Sequence, residues 1–226
     1  YKNHFIHRPS VSSPENPERV TQVMGYLQGR TKLMDKRAVL VQGYPPANRE
    51  DLLRVHDEEY VEFVEKLSLQ GGGFLGDSTY LSKNTFKAAS MAAGGAKHGC
   101  KLVWNEEHIS SISLIRPPGH HASQDRFGGY CIFNNAAVAI RYLQKYEGLK
   151  RAMVVDWDAH AGNGTMRIFY EDPSVLTLSI HRDPHDFYPH DGFAHQIGRG
   201  EGRGYTVNVE MPQGAGDEAY LSLIHI

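Results

Sequence analysis

Three apolar segments of this chain each run directly into a dense group of polar side chains. The segment ISSISLI (109–115) is followed by RPPGHH, AMVVD (152–156) leads into WDAH, and VLTLSI (175–180) leads into HRD. Short apolar runs of this kind predict buried strands. Strands that alternate with helices form parallel sheets covered on both faces, and the ligand sites of such sheets lie at the carboxyl ends of the strands. The sequence therefore predicts an α/β fold with polar groups gathered at these strand ends.

The remaining periodic segments fit this architecture. Helical spacing predicts helices that begin at Asn16-Pro17-Glu18 and that cover 52–69, 84–104, 134–146 and 164–170. Two further strands are predicted at 38–41 (AVLV) and 205–209 (YTVNV). No repeat or linker interrupts the pattern, so we expect one domain over residues 1–220. The last six residues, LSLIHI (221–226), have no cap or polar tail, and we expect them to be a non-native tail on an incomplete domain.

Composition excludes several classes of partner. The net charge of −2 and the pI near 6.7 give no basic field for a nucleic acid or an anionic membrane. No segment approaches the roughly 18 apolar residues of a membrane span. With only Cys100 and Cys131 and no signal peptide at the start, a reducing cytoplasm is expected. Histidine is abundant, with 13 residues, which directs attention to metal or acid–base chemistry.

The pattern Asp156-Trp157-Asp158-Ala159-His160 predicts a metal site. In an extended segment, side chains two residues apart share a side, so Asp156, Asp158 and His160 can face one cavity. Carboxylates buried together need a cation, and a histidine with carboxylates is typical of catalytic rather than structural sites. The alternative is a polar loop in which Asp158 caps the following helix. Such a short motif does not decide between the two by itself.

His120 and His121 are candidates for general acid–base catalysis. A water that attacks an amide must lose a proton, and the leaving amine must gain one. Two neighbouring imidazoles could divide these tasks if an aspartate stood behind one and a neutral amide behind the other, because only the aspartate would raise an imidazole pKa. Asp156 and Asn163 are available for these roles. The alternative is a pair of capping or surface histidines in a proline-rich turn.

Six motifs together resemble one known family. They are HRPSVSSPENPERV from residue 7, VHDEEYVEFV from 55, RPPGHHA from 116, GGYCIFNNAAVA from 128, VVDWDAHAGNGT from 154 and LSIHRD from 178. In this order they resemble the histone deacetylase superfamily, which includes acetylpolyamine amidohydrolases and acetoin-utilisation-type proteins. The resemblance implies a three-layer parallel-sheet fold of the arginase/deacetylase type, here incomplete. It also implies a zinc-dependent deacetylase that acts on acetylated lysine-like or polyamine-like small substrates and releases acetate and a primary amine.

The resemblance also implies roles for individual residues. Asp158 and His160 match two ligands of the catalytic Zn²⁺, one ion per chain, and His120 and His121 match the catalytic tandem histidines. Asp156 and Asn163 match the partners of those histidines. A monovalent-cation site, with K⁺ as the candidate ion, is implied for Asp156, Asp158, His160, Ser179 and Ile180. The substrate channel is implied to contain Gly129, Tyr130 and Tyr188, with Asp77 as a rim acid whose register Ser78 leaves open.

The chain also departs from the family pattern. Ala161 stands where the family usually has a second histidine that is not a metal ligand. The family's third metal ligand, an Asp, and its transition-state Tyr have no convincing counterpart in this sequence. Asp183, Asp186 and Asp191 follow the segment VLTLSI, but we do not assign any of them to the metal. We therefore expect both to lie beyond this sequence and the fragment to be inactive. Two alternatives stay open at this point: an arginase-like binuclear manganese amidinohydrolase, and a non-catalytic acyl-lysine-binding module.

Overall fold

The computed structural model describes residues 6–8, 12–29 and 38–223. The chain divides into two compact units, Tyr1–Leu149 and Lys150–Ile226. Within the described ranges, no helix is both long enough and apolar enough to cross a membrane. The non-native tail predicted for 221–226 stays a prediction, and residues 224–226 lie outside the described part.

The first unit is mainly helical. Its elements are α1 (Glu18–Gly29), α2 (Arg49–Leu53), α3 (Glu58–Leu69), β1 (Gly72–Gly76), β2 (Thr79–Ser82), α4 (Thr85–Trp104) and α5 (Asn135–Tyr142), which continues as a π-helical turn, Leu143–Glu147. The prediction of one helix over 52–69 is wrong, because α2 ends at Leu53 and α3 begins at Glu58. Asp57 before α3 has extended backbone, and Glu58 and Glu59 place negative charge at the positive end of the helix dipole, which favours a new start there.

A β-hairpin that the sequence did not predict follows α3. Strands β1 and β2 are antiparallel, and Asp77 and Ser78 at their turn both have left-handed backbone, with φ of 48° and 55°. Two successive residues with positive φ suit the right-handed twist of a tight hairpin. The hairpin fixes the position of the Asp77 backbone, which matters for the site described below.

Helix α4 is the centre of the first unit. Four of its alanines are buried (Ala88, Ala89, Ala92 and Ala93), and an added Cβ at Gly94 would lie 2.4 Å from the carbonyl oxygen of Pro45. The neighbouring segment is fixed by a hydrogen bond from the Ala47 amide to the Ser90 carbonyl, at 2.8 Å. Small side chains therefore let other backbone approach α4 closely.

The strands predicted at 38–41 and 109–115 are wrong as hydrogen-bonded strands. Both segments are described, and neither is paired with any strand of the described ranges. Segment 109–115 instead lies along α4, where Ser113 Oγ donates to the Gly95 carbonyl at 3.2 Å and Ile112 is 86% exposed. A short apolar run predicted a strand here, but a strand also needs a neighbour whose backbone groups are free to pair.

The second unit contains a parallel sheet. Its elements are β3 (Ala152–Asp156), α6 (Asn163–Ile168), β4 (Val175–Arg182), a 3₁₀ turn (Gly200–Gly202), β5 (Thr206–Met211) and α7 (Asp217–Ser222). The strand order is β3-β4-β5, with Asp156 opposite Ser179 and Ser179 opposite Asn208. The α/β class and the strands predicted at 152–156, 175–180 and 205–209 are confirmed. The register places Asp156 and Ser179 side by side near the carboxyl ends of their strands.

Candidate functional site

The tandem histidines lie in a tight turn of the first unit. The turn is closed by the Ala122 amide, which donates to the Gly119 carbonyl at 3.1 Å. The ring centroids of His120 and His121 are 4.0 Å apart, with 45° between the ring planes. His121 is only 6% exposed, whereas His120 is half-buried. A turn thus brings together two adjacent side chains that a strand would direct to opposite faces.

His121 is confined from behind by Gly129. The His121 amide donates to Cys131 Sγ at 3.4 Å, and a Cβ added to Gly129 would lie 2.3 Å from His121 Cδ2. Gly129 also has φ of +49°, a backbone conformation that favours glycine. No larger residue fits this position unless the imidazole moves, so Gly129 sets where the His121 ring can lie.

The residues predicted to line the substrate channel from this unit lie together. The amide of Gly129 donates to the Asp77 carbonyl at 3.0 Å, and the amide of Tyr130 donates to Thr79 Oγ1 at 3.2 Å. The β1–β2 hairpin therefore anchors the Gly129–Tyr130 segment, which in turn touches His121. The role of Asp77 as a rim acid stays a prediction, although its backbone, through Gly129, joins the same group of residues.

The asparagines before and at the start of α5 hold the histidine loop from the other side. Asn134 Oδ1 accepts from the Ala137 amide at 3.0 Å and thereby caps the helix, while Asn134 Nδ2 donates to the Ala122 carbonyl at 3.1 Å. Asn135 Nδ2 donates to the Pro117 carbonyl at 3.1 Å. All these groups are buried. The two asparagines of the FNN motif therefore stabilise the histidine loop, a role that the sequence did not indicate.

A buried ion pair fixes the residue at the beginning of this loop. Arg116 donates to both carboxylate oxygens of Glu15, at 2.7 and 2.8 Å, and to the His7 carbonyl at 2.7 Å. Tyr80 donates to Glu15 Oε2 at 3.0 Å. Burial opposes ionisation of Glu15, but hydrogen bonds with His7 and Arg116 outweigh it and hold the Glu15 pKa at about 2. The pair is therefore charged at neutral pH and ties the N-terminal segment to the loop.

The second cluster follows β3. The Asp158 amide donates to Asp156 Oδ1 at 3.1 Å, and the His160 amide donates to Asp158 Oδ1 at 2.8 Å. His160 Nδ1 also lies 3.0 Å from Asp158 Oδ1. The His160 ring stacks on Phe187 at 4.6 Å and meets the edge of Tyr188 at 5.8 Å. The structure thus brings Asp156, Asp158, His160 and Tyr188 into one group.

A hydrogen-bonded chain on β4 supports the end of this loop. His181 Nε2 faces the Gly192 carbonyl at 2.9 Å, which can only accept, so Nε2 carries the proton and Nδ1 accepts from Ser179 Oγ at 2.8 Å. Ser179 Oγ then accepts from the Gly162 amide at 3.2 Å. A Cβ at Gly162 would lie 2.3 Å from Asp156 Oδ2, so the glycine lies directly against that carboxylate.

The second cluster supplies part of a metal site. Asp158 and His160 offer a carboxylate and an imidazole, donors that suit Zn²⁺, and their side chains are 50% and 39% exposed. Within the described ranges, however, no group of three His, Cys, Asp or Glu side chains is arranged to hold an ion. A catalytic zinc site uses three protein ligands. The donors present therefore fit two positions of such a site and leave the third unsupplied.

The remaining predicted residues lie near this cluster, in the second unit. Asn163 is the first residue of α6, and Ile180 is opposite Val209 in the sheet. His120 and His121 belong to the first unit. Their pairing with Asp156 and Asn163 stays a prediction, as does the monovalent-cation site.

Comparison with known proteins decides the family. The sequence model described as "Histone deacetylase domain" matches residues 13–226. The chain belongs to the histone deacetylase family. A "Probable deacetylase" of Archaeoglobus fulgidus is 40% identical to this family member over 224 residues, which are 99% of the chain and 61% of the relative. A "Histone deacetylase-like amidohydrolase" of Pseudomonas aeruginosa is 39% identical, over 93% of the chain and 54% of the relative.

This member of the histone deacetylase family is also similar to a human protein and to a solved structure. The human "Polyamine deacetylase HDAC10" is 36% identical, over 92% of the chain and 32% of the relative. The crystal structure of the HDA15 HD domain superposes with a TM-score of 0.87 at 32% identity, over 96% of the chain and 61% of that structure. The deacetylase-type α/β fold is confirmed. The chain spans 61% or less of the length of each of these relatives.

Several residues of these clusters carried no role in the sequence analysis. Glu15, Arg116, Asn134 and His181 all lay inside quoted motifs, yet no pattern indicated what they contact. Phe187, which stacks on His160, lay in the loop that had already supplied Tyr188.

Proposed function

We propose that the protein containing this chain is a zinc-dependent deacetylase that hydrolyses acetylated lysine-like or polyamine-like amines to acetate and a primary amine. The observation that carries the proposal is the tandem-histidine turn, in which two contacting imidazoles are held by Gly129 and Asn134. Relatives described as deacetylases, one of them a polyamine deacetylase, support the reaction and the substrate class. A cytoplasmic location, with Cys100 and Cys131 as free thiols, belongs to the same proposal.

The histidines supply the proton transfers of this reaction. One imidazole takes a proton from the attacking water, and the other gives a proton to the nitrogen of the leaving amine. His121 is buried and closely packed, so its ring is already oriented before the substrate binds. No further entropy is then lost in orienting the ring during the reaction. We assign Asp156 and Asn163 to the partners of the two rings. Tyr130 and Tyr188 would contact the aliphatic chain of the substrate.

We assign Asp158 and His160 to the zinc ion. When bound, the ion acts as a Lewis acid toward the amide carbonyl. The 226-residue chain alone is expected to bind zinc weakly and to turn over little substrate, because its described residues supply two ligands rather than three. K⁺ at Asp156, Asp158, His160, Ser179 and Ile180 is part of the same proposal.

The test uses the full-length gene product with an acetyl-lysine peptide and an acetylated diamine as substrates. His121→Ala and Asp158→Ala should each lower turnover on the order of 10²–10⁴-fold, while His195→Ala, at an exposed histidine, should leave it unchanged. Elemental analysis should find one zinc per chain, and much less on residues 1–226 expressed alone. Undiminished turnover in either folded variant contradicts the proposal. Two manganese ions per active chain would support the arginase-like alternative instead.

A further inference from the structure

A buried histidine outside the proposed catalytic set touches the tandem-histidine loop. His56 lies between α2 and α3 and is 2% exposed. Its ring packs against Tyr60, with centroids 5.6 Å apart, and against Phe133, at 5.2 Å. A polar ring buried in such apolar surroundings is stable only if both of its nitrogens are hydrogen-bonded. Both are.

The partners of His56 determine where its proton lies. Nδ1 is 2.7 Å from the carbonyl oxygen of Ser123, which can only accept, so Nδ1 carries the proton. Nε2 accepts from the Asn134 amide at 3.0 Å and is therefore unprotonated. A single neutral tautomer satisfies both contacts. Burial lowers the His56 pKa to about 4, although backbone hydrogen bonds with Ser123 and Gln124 oppose the shift, so the ring is neutral at physiological pH.

The two contacts of His56 join the segment that follows the tandem-histidine turn to the start of α5. Ser123 follows His121 by two residues, and the Asn134 side chain holds the Ala122 carbonyl at 3.1 Å. Next to His56, the Asp57 amide donates to the Gln124 carbonyl at 2.9 Å. The imidazole therefore bridges the loop after His121 and the residue that caps α5.

We infer that His56 is a positioning residue, which holds His121 in its reactive orientation by donating to Ser123 and accepting from Asn134. This inference rests on the proposed function, since it concerns the geometry of that reaction. His56 does not touch the reacting atoms in this account. It acts through the backbone that carries His121, where a displacement of about 1 Å can lower turnover on the order of 10²-fold.

Three substitutions separate the two hydrogen bonds. His56→Asn places an amide N–H near the position of Nδ1 and keeps the donor to Ser123. His56→Gln places an oxygen near the position of Nε2 and keeps the acceptor for Asn134. His56→Phe keeps the ring shape and neither bond. The matched control is Tyr60→Phe, which removes a buried hydrogen bond to the Ile132 carbonyl (2.7 Å) from the same packing group.

Steady-state kinetics of the full-length protein should show a decrease in kcat with little change in KM. We expect His56→Phe to lower kcat on the order of 10²-fold, His56→Asn and His56→Gln to retain more activity, and Tyr60→Phe to match the wild type. Hydrogen exchange of residues 119–126 should accelerate in His56→Phe and not in Tyr60→Phe. Circular dichroism at the assay temperature checks that each variant is folded.

The outcomes separate this inference from the proposed function. If the wild-type protein hydrolyses no acetylated amine, the proposed function fails, and the exchange of residues 119–126 alone decides whether His56 holds the loop. If the wild type is active, two results overturn the inference. One is wild-type kcat in His56→Phe. The other is an equal loss of kcat in Tyr60→Phe, which would indicate general destabilisation rather than positioning.

Discussion

The loop that carries His120 and His121 and the loop that carries Asp158 and His160 differ in what holds them. The histidine loop is fixed by side chains distant in sequence: Arg116 in this loop pairs with Glu15, and Ser123 accepts from His56. The loop after β3 is shaped mainly by its own carboxylates, since Asp156 and Asp158 each accept from an amide two residues further along. Distant side chains therefore fix the first loop, whereas local hydrogen bonds shape most of the second, with Ser179 on β4 supporting its end.

This difference fits the tasks proposed for the two loops. An acid–base pair has to be oriented before substrate arrives, and burial among fixed partners achieves this. A carboxylate and an imidazole that receive an ion must exchange their mutual hydrogen bond, 3.0 Å between His160 Nδ1 and Asp158 Oδ1, for bonds to the metal. A locally shaped, half-exposed loop permits that exchange. Substitutions should therefore affect the two loops in different ways.

The largest expected effect comes from the buried ion pair. Arg116→Met leaves the Glu15 carboxylate buried without its main partner, which should lower the free energy of unfolding by roughly 3–5 kcal/mol. The control in the second unit is Arg167→Met, because Arg167 pairs with Asp191 at 2.7 Å but is 45% exposed. That substitution should cost at most about 1 kcal/mol. Urea unfolding of each variant measures both values, and equal losses would contradict the contrast between the loops.

The second prediction concerns the space behind His121. Gly129→Ala would place its Cβ 2.3 Å from His121 Cδ2, so the ring must move, and kcat of the full-length protein should fall about 10²-fold. Gly148→Ala is the matched control, since Gly148 also has positive φ, +79°, but has nothing within 4 Å of an added Cβ. It should lower stability by about 1 kcal/mol through backbone strain and leave kcat unchanged. Similar kcat values for the two variants would show that Gly129 does not position the ring.

The same contrast explains how much the sequence could predict. Asp156, Asp158 and His160 lie two residues apart, and the hydrogen bonds that group them are local, so a short sequence motif could indicate this cluster. The strands of the β3–β4–β5 sheet were predicted for the same reason. The contacts of Arg116 with Glu15 span 101 residues, and those of His56 with Asn134 span 78. No spacing rule contains such pairings, because they depend on how the elements pack.

The segments predicted incorrectly have a related cause. Segment 109–115 has the apolar composition of a buried strand, yet it pairs with no strand of the described residues and lies along α4. The β1–β2 hairpin was missed because glycines at 71–73 hid its extended backbone. Both errors concern hydrogen-bond partners, which composition does not specify.

The third prediction uses pH to isolate the buried histidine. The unfolded chain protonates His56 near pH 6.5, whereas the folded chain does so only near pH 4. Protons therefore bind the unfolded state first, and stability falls as pH decreases from about 6.5 to about 4. Between pH 7.5 and 5 the His56 contribution should be about 2 kcal/mol.

Urea unfolding at several pH values checks this contribution. His56→Gln should remove the His56 contribution from the pH dependence of the free energy of unfolding. His7 and His181, whose pKa values are also lowered by burial, contribute equally in the wild type and in the variant. The Glu15 contribution appears at lower pH, as the carboxylate is protonated between about 4.5 and about 2. An identical pH slope for wild type and His56→Gln would show that His56 is not held neutral by the fold.

The smallest expected effect lies at an exposed histidine of the second unit. His185 Nδ1 is 2.6 Å from Asp183 Oδ1, and this hydrogen bond, with the charge of Asp183, raises the His185 pKa above 6.5. Asp183→Asn should therefore lower the His185 pKa toward its ordinary value, whereas Asp186→Asn, which removes a weaker influence, should lower it less. Titration of the imidazole C–H signals by NMR measures both. Added salt should weaken the effect in the wild type, because dissolved ions screen the interaction between exposed charges. If Asp183→Asn leaves the His185 pKa unchanged, the pair is not formed in solution, and His185 then provides no exposed, locally paired counterpart to the buried His56.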